Sequence, residues 1–212
     1  MRPIRRPLFR DRVALSKPLV FALCLLPLAW LVHDVVAATL GPDPVAAIEH
    51  RTGDWALRFL LLTLTLTPLR RLTGRPWLLR YRRLFGLFAF AYATMHLTAY
   101  IAIDLGAYWV GLPAEIAKRP YLAAGFAAWV LLVPLAATST RAAMRRLGRH
   151  WQRLHRLAYV ASLLGALHYV WLVKSGEKLA ARVPLIYLII WGVLMALRLR
   201  WPGPRPHAAA TE

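Results

Sequence analysis

Acidic residues and cysteine are scarce in this chain of 212 residues. Cys24 is its single cysteine, which excludes an intrachain disulfide, a four-thiolate iron–sulfur cluster and covalent haem attachment through a C-x-x-C-H motif. Aspartate and glutamate together number 9, so the carboxylates that a zinc site or a membrane proton relay usually adds are few. No G-x-G-x-x-G, P-loop or G-x-S-x-G motif suggests catalysis. Any bound metal must therefore be held by histidine or oxygen.

Apolar residues dominate the composition instead. Hydrophobic residues make up 59% of the chain and charged residues only 17%, compared with about 25% charged residues in an ordinary soluble domain. Six apolar segments are each bounded by charge or proline: Leu19–Leu40, Trp55–Leu69, Leu84–Ile103, Tyr121–Thr138, Leu157–Val173 and Val183–Leu197. Three of them approach the ~20 residues that span a hydrocarbon core, whereas the second and sixth are short at 15 residues. This pattern predicts an all-α integral membrane protein, with a bundle of six transmembrane helices over residues 19–200.

The first apolar segment has an alternative interpretation as a cleaved signal peptide. Basic residues precede it, and Val36-Ala37-Ala38 resembles a cleavage site. Its length favours a helix that is retained, since it exceeds the roughly 7–15 apolar residues of a signal sequence. Arg5-Arg6 fits the charge that orients a membrane helix as well as it fits a twin-arginine signal. We therefore interpret this segment as the first transmembrane helix.

Basic residues are divided unequally between the two sides that the six helices define. The segments 1–18, 70–83, 139–156 and 198–212 contain 21 of them, and the alternate side contains 7. Because positive charge marks the cytoplasmic side, both termini are expected there, as a basic segment 1–18 and a proline-rich tail 201–212. The formal net charge of +19 is thus a topology signal. We therefore expect the protein to lie in the lipid bilayer and not to bind nucleic acid.

Two histidines differ from the other five because each lies inside an otherwise uncharged apolar segment. His96 and His168 lie at similar depth, about 17–21 Å from the cytoplasmic boundary at 1.5 Å per residue. An imidazole buried there without a partner costs several kcal/mol, so a functional role is the default hypothesis. The third and fifth helices run in the same direction, so the two rings can face each other. This arrangement suits bis-histidine axial ligation of one b-type haem.

Small residues precede both histidines at helical spacings: Ala89, Ala93, Ala161 and Gly165. A flat macrocycle between the helices needs the room that such residues leave. Small residues also allow transmembrane helices to pack closely in the absence of any cofactor. Both interpretations are consistent with the sequence.

His155 is a third candidate ligand, at the cytoplasmic start of the predicted fifth helix and roughly 20 Å from His168 along it. It could serve a second, inner haem. Alignment of His96 with His168, however, places Arg83 opposite His155, where a second axial histidine would be needed. Arg82 or Arg83 could bind a haem propionate or a flavin phosphate, and solvated charge on the cytoplasmic side is the alternative interpretation. The number of haems stays open at one or two.

Six short motifs follow one another in the chain: Thr52-Gly53-x-Trp55, Thr67-Pro68-Leu69-Arg70-Arg71, Arg82-Arg83-Leu84-x-Gly86-Leu87, Tyr92-x-x-x-His96, Trp151-x-x-Leu154-His155-Arg156-Leu157-x-Tyr159 and His168-Tyr169. In their order, spacing and six-helix setting they resemble the MsrQ (YedZ) family, over residues 17 to about 200. That family belongs to the wider ferric-reductase-like transmembrane group.

The resemblance implies the haem-binding subunit of a methionine sulfoxide reductase system in the bacterial inner membrane, described as binding FMN as well. Such a subunit passes electrons from a cytoplasmic flavin reductase or NAD(P)H donor, or from quinol, to MsrP. MsrP is a periplasmic molybdopterin enzyme that repairs oxidised methionines in envelope proteins. By the same resemblance, His96, His155 and His168 are the candidate axial ligands of haem b. The fourth histidine, which two-haem members of the wider group carry on the third helix, is missing.

Two other functions are compatible with six membrane helices. A self-contained ferric or quinone reductase would usually add NAD(P)H and flavin domains, whereas this sequence ends soon after the sixth segment. A cofactor-free transporter subunit would more often show paired interrupted helices at the midplane. We therefore expect an electron-transfer subunit rather than a complete enzyme, with sulfoxide reduction in the partner.

Overall fold

The computed structural model describes residues 8–174 and 182–200, and every regular element within those residues is helical. Residues 1–7 of the predicted basic N-terminus and the whole predicted tail 201–212 lie outside the described residues, as does the segment 175–181. The predicted all-α fold is confirmed for the described part of the chain.

Nine α-helices follow one another in the described residues: α1 (Leu8–Val36), α2 (Pro44–Thr73), α3 (Arg82–Ala99), α4 (Leu112–Lys118), α5 (Pro120–Ala137), α6 (Arg141–Leu147), α7 (Arg149–Leu154), α8 (Leu157–Lys174) and α9 (Arg182–Arg200). Short 3₁₀ turns cover Pro76–Tyr81 and Trp109–Gly111, and a π-helical turn over Tyr100–Asp104 continues α3. The six predicted apolar segments lie largely within the six long helices, which are α1, α2, α3, α5, α8 and α9.

The second long helix, α2, is 30 residues long, twice the length of the apolar segment from which it was predicted. It begins early because the Asp43 side chain accepts a hydrogen bond from the Ala46 backbone N–H at 2.9 Å, with Pro44 in the first turn. It ends at Gly74, whose φ of 66° is the left-handed conformation of a helix C-cap. The extra turns carry charged residues, so hydropathy alone underestimated the helix.

The first helix ends earlier than its apolar segment. α1 stops at Val36, whereas the segment extends to Leu40. Ala38 and Gly41 both have positive φ, of 54° and 90°, and such left-handed residues end an α-helix. The chain therefore leaves α1 before its apolar residues are exhausted.

Within the described residues, four helical stretches are long and apolar enough to cross a membrane: Leu15–Val36, Pro76–Asp104, Pro120–Ala137 and Val183–Arg200. They correspond to the first, third, fourth and sixth predicted segments. In an 18-residue window of each stretch, only 11% to 28% of the residues are buried within the protein, which leaves apolar surface for contact with lipid. The chain is a membrane protein, while six spans and cytoplasmic termini remain predictions.

The bundle is organised as two helix hairpins. α2 packs most extensively against α3, and α5 packs most extensively against α8. Contacts of α3 with α5 and of α2 with α8 close the ring between the hairpins, whereas α1 and α9 lie on its outside. The first hairpin therefore uses the second and third predicted segments, and the second hairpin uses the fourth and fifth.

A tyrosine fastens the outer helix α1 to the bundle. The Tyr92 hydroxyl on α3 accepts a hydrogen bond from the Leu28 N–H and donates one to the Cys24 carbonyl, both at 3.0 Å. These two backbone groups are four residues apart, which is the spacing of a hydrogen-bonded pair in a helix. The hydroxyl holds α1 against α3 one helical turn from His96.

Candidate functional site

The two histidines that the sequence pairs by depth lie together in the centre of the bundle. His96 is on α3 and His168 on α8, with ring centroids 6.1 Å apart and ring planes inclined at 72°. Both side chains are partly buried, and both line one cavity. The cavity walls come mainly from α2, α3, α5 and α8.

Each imidazole is held through Nδ1 by a backbone carbonyl of the neighbouring helix. His96 Nδ1 lies 2.9 Å from the carbonyl oxygen of Glu49 on α2, and His168 Nδ1 lies 2.7 Å from the carbonyl oxygen of Tyr121 on α5. A carbonyl oxygen can only accept, so Nδ1 carries the proton in both rings. This tautomer leaves the Nε2 lone pair free, as ligation of a metal requires.

The separation of the rings fits two axial ligands of one iron. Two metal–nitrogen bonds of about 2 Å, with about 1.1 Å from each Nε2 to its ring centre, give centroids about 6 Å apart. The observed separation of 6.1 Å agrees with that value. The donor atoms and their spacing therefore fit a bis-histidine haem.

The cavity has one polar end and one apolar end. Its volume is about 320 Å³, within the roughly 300–1,000 Å³ of small-molecule sites. Towards the loops at 37–43 and 105–119, which we call the outer end of the bundle, it is lined by His50, Asp104 and Arg119. Towards the loops at 74–81 and 138–156, the inner end, it is lined by apolar residues such as Leu60 and Leu132. A flat apolar group with one polar edge suits such a shape.

Two glycines let helix backbones lie directly against the imidazoles. A Cβ added to Gly53 would lie 3.2 Å from His96 Nδ1, and a Cβ added to Gly125 would lie 2.7 Å from His168 Nδ1. Both distances are shorter than an ordinary contact of about 3.5–4.0 Å. Gly53 belongs to one of the sequence motifs, whereas Gly125 belongs to none of them. Alignment of His96 with His168 would have paired these glycines, because Gly125 follows Gly53 at the same interval as His168 follows His96.

The small residues near the histidines have two different roles. Ala93 and Gly165 line the cavity beside the rings, so they leave room there. Ala89 and Ala161 have no exposed surface at all, which is characteristic of close helix packing, and Ala161 also lines the cavity. Both interpretations that the sequence allowed therefore apply.

The third candidate ligand, His155, lies at the inner end and just before α8. The sequence placed it at the start of the fifth long helix, whereas in the structure it caps α7 and α8 begins only at Leu157. The His155 N–H still bonds the Trp151 carbonyl at 3.0 Å, as in an α-helix, and the two side-chain rings stack with centroids 3.8 Å apart. The next N–H, that of Arg156, bonds the Arg153 carbonyl only three residues back, at 3.2 Å, so the α-helical pattern is interrupted there. This aromatic contact was not predicted.

The His155 side chain has the properties of a metal ligand, but no second histidine lies at the equivalent position of the first hairpin. His155 Nδ1 lies 3.1 Å from the Trp151 carbonyl oxygen. Its buried Nε2 makes no well-formed hydrogen bond among the described residues, although the Leu135 carbonyl is close enough to the ring to raise its pKa. Burial lowers the pKa of His155 below its usual range, which favours the neutral ring. A neutral imidazole with a free Nε2 can bind a metal, but the aligned position in the first hairpin is Arg83.

Arg82 and Arg83 open α3 at the inner end. Arg82 is partly buried and close enough to His155 to depress the pKa of that imidazole further, whereas Arg83 is exposed. Neither arginine is among the residues that line the central cavity. Arg82 is thus the better candidate to bind an anion near His155. Neither arginine would lie beside a group held between His96 and His168.

Comparison with known proteins gives consistent matches over most of the chain. Residues 52–166 match the family described as ferric reductase like transmembrane component. A protein of Xanthomonas oryzae pv. oryzae named protein-methionine-sulfoxide reductase heme-binding subunit MsrQ is 53% identical over 192 residues, which are 88% of this chain and 86% of that protein. A protein of the same name from Rhodospirillum rubrum is 47% identical over 191 residues, 90% of each chain.

Proposed function

The chain belongs to the MsrQ family, whose members carry a ferric-reductase-like transmembrane component, and we propose on this basis that it is a haem b electron-transfer subunit. In this proposal it lies in the bacterial inner membrane and delivers electrons to MsrP, a periplasmic molybdopterin enzyme that reduces methionine sulfoxide in oxidised proteins. The chain itself carries no sulfoxide chemistry. Family membership supports the role of haem-binding subunit, because relatives that are 53% and 47% identical bear that name.

One observation carries the proposal: the two imidazoles 6.1 Å apart, each with Nδ1 bonded to a backbone carbonyl and Nε2 free. A haem b held by His96 and His168 would supply a one-electron ferric/ferrous couple. With both histidines bound to the iron, no ligand position would be left for a substrate. The pair therefore suits electron transfer rather than catalysis at the metal.

The residues around the pair favour fast electron transfer. Apolar side chains such as Leu60 and Leu132 exclude water from the inner part of the cavity. The bonds from Nδ1 to the Glu49 and Tyr121 carbonyls prevent the rings from rotating when the charge at the site changes. Little reorganisation is needed at a site whose ligands are fixed in this way.

The proposed orientation has six spans with both termini in the cytoplasm. It is supported by the 21 to 7 distribution of basic residues. In this orientation the polar outer end of the cavity, with His50, Asp104 and Arg119, faces the periplasm. The histidine pair then lies nearer to the periplasmic partner than to the cytoplasm, as an exit site for electrons requires.

Electrons are proposed to enter at the inner end. The donor is a cytoplasmic flavin reductase that uses NAD(P)H, or quinol from the membrane. Arg82 and Arg83 supply cations for a flavin phosphate or a haem propionate, and His155 supplies an imidazole for an inner cofactor, either FMN or a second haem. The buried Nε2 of His155, which makes no well-formed hydrogen bond among the described residues, supports a cofactor contact at this end.

Reconstitution tests this function. Membranes that contain the chain and a periplasmic MsrP should reduce protein-bound methionine sulfoxide when given reduced flavin or quinol. The chain alone should not, and neither should MsrP with the His168→Ala variant. Sulfoxide reduction by the chain alone would contradict the proposal, and rapid reduction of ferric chelates or quinone without MsrP would favour a self-contained reductase.

A further inference from the structure

The two hairpins hold their histidines in the same way. The hydrogen bonds from His96 to the Glu49 carbonyl and from His168 to the Tyr121 carbonyl each join residues 47 positions apart. The interval between the two acceptors is therefore the same as the interval between the two histidines. The hairpin α5–α8 repeats the arrangement of the hairpin α2–α3, with each carbonyl on the first helix and each imidazole on the second.

The repeat extends over the cavity wall. Eleven residues from Glu49 to Tyr100 line the cavity. For each of them, the residue 72 positions later, from Tyr121 to Leu172, lines the cavity as well. The glycines against the rings, Gly53 and Gly125, are one of these pairs. The cavity thus has an approximate two-fold axis between the two imidazoles, and each glycine occupies the same place in its half.

We propose that Gly53 and Gly125 are positioning residues for the two axial imidazoles. Each glycine lies one helical turn after the carbonyl that receives the Nδ1–H of its histidine. Without a side chain at that point, the helix backbone approaches the ring closely enough for the hydrogen bond to form. The inference rests on the proposed function, because it requires that His96 and His168 ligate the haem iron.

An alanine at Gly125 cannot coexist with the observed ring position, and an alanine at Gly53 requires a shift of a few tenths of an ångström. The added Cβ would lie 2.7 Å from His168 Nδ1 at position 125 and 3.2 Å from His96 Nδ1 at position 53, so the ring or the helix must move. The hydrogen bond to the carbonyl raises the basicity of the imidazole and so stabilises ferric iron, and movement weakens that bond. Alanine is therefore expected to raise the haem midpoint potential, and to do so more at Gly125 than at Gly53.

The test uses the whole protein purified with its haem. Gly53→Ala and Gly125→Ala are compared with two control variants, Gly86→Ala in α3, where the nearest atom to an added Cβ is 3.9 Å away, and Gly192→Ala in α9, where no atom lies within 4 Å. The readouts are the haem-to-protein ratio, the low-spin g values by electron paramagnetic resonance, and the midpoint potential. Circular dichroism of each variant reports its helix content independently of haem.

Gly125→Ala is expected to weaken haem retention about tenfold, which is the lower range for loss of a group that orients a metal ligand. Gly53→Ala should keep its haem but show shifted g values and a raised potential, and both controls should match the wild type. If Gly125→Ala fails to fold, Gly53→Ala decides. Wild-type g values and potential in Gly53→Ala would overturn the inference, as would equal losses in all four variants. Absence of low-spin haem from the wild type itself would instead overturn the proposed function.

Discussion

The outer and inner ends of the bundle hold histidine in different ways. His96 and His168 face each other across a cavity, and each ring bonds a carbonyl on a neighbouring helix. At the inner end, His155 bonds the carbonyl of Trp151, four residues earlier in its own segment, and its ring is covered by that indole at 3.8 Å. The paired site is built between helices, whereas the single site is built within one stretch of chain.

The difference follows from which residues occupy equivalent positions in the two hairpins. At one pair of equivalent positions both hairpins carry histidine, and at another pair the first hairpin carries Arg83 while the second carries His155. An iron with two imidazole ligands can form only where both halves contribute one. We therefore expect a single bis-histidine haem, at the outer end, and a different kind of contact at the inner end.

Reporter fusions test which end of the bundle is outer, and the expected signals are all-or-none. Fusions after Leu40, Ile103 and Val173 should report the periplasm, because the sides that they mark carry few basic residues. Fusions after Leu69 and Thr140, and at the C-terminus, should report the cytoplasm. Reversed signals would place the histidine pair on the cytoplasmic side and remove its proposed periplasmic partner.

Removal of either paired histidine should have the next largest effect. His96→Ala and His168→Ala each leave one iron position unfilled, so each should lose the haem or convert it from low-spin to high-spin. The two variants should have similar spectra, since they affect the same iron. Optical spectra and electron paramagnetic resonance measure this, and a fully low-spin, stoichiometric haem in both variants would exclude the pair as ligands.

Removal of the inner histidine should have a smaller effect. His155→Ala should leave the low-spin spectrum and the haem-to-protein ratio of the outer site unchanged, because the two sites are roughly 20 Å apart. It should slow reduction of that haem by reduced flavin or quinol, since an entry contact is lost, and stopped-flow absorbance measures that rate. Loss of the outer low-spin signal in this variant would show that His155 and the histidine pair are not separate sites.

The outer pair was predictable from sequence because its signals are local. An ionisable residue in an apolar segment is visible at once, and its depth follows from the rise of a helix, so His96 and His168 could be matched without any contact information. The early start of α2 was predictable in principle, since Asp43-Pro44 is a helix-start signal, but hydropathy excluded the charged turns that follow.

Other features depend on contacts between segments distant in the chain. Gly125 is an ordinary small residue in α5 until α8 brings His168 against it. The Tyr92 hydroxyl that fastens α1 likewise bonds groups 64 and 68 positions earlier in the sequence. Sequence pattern therefore predicted the pairing of His96 with His168 better than it predicted the groups that hold the two rings.

The haem content of the wild-type protein, measured together with its electron paramagnetic resonance spectrum, tests the central claim most directly. If both halves of the repeat contribute one imidazole to one iron, the purified chain should contain about one haem b, and that haem should be low-spin. A high-spin haem with an open axial position would contradict the pairing of His96 with His168. A second low-spin haem that persists in His96→Ala would show that the inner end also assembles two ligands.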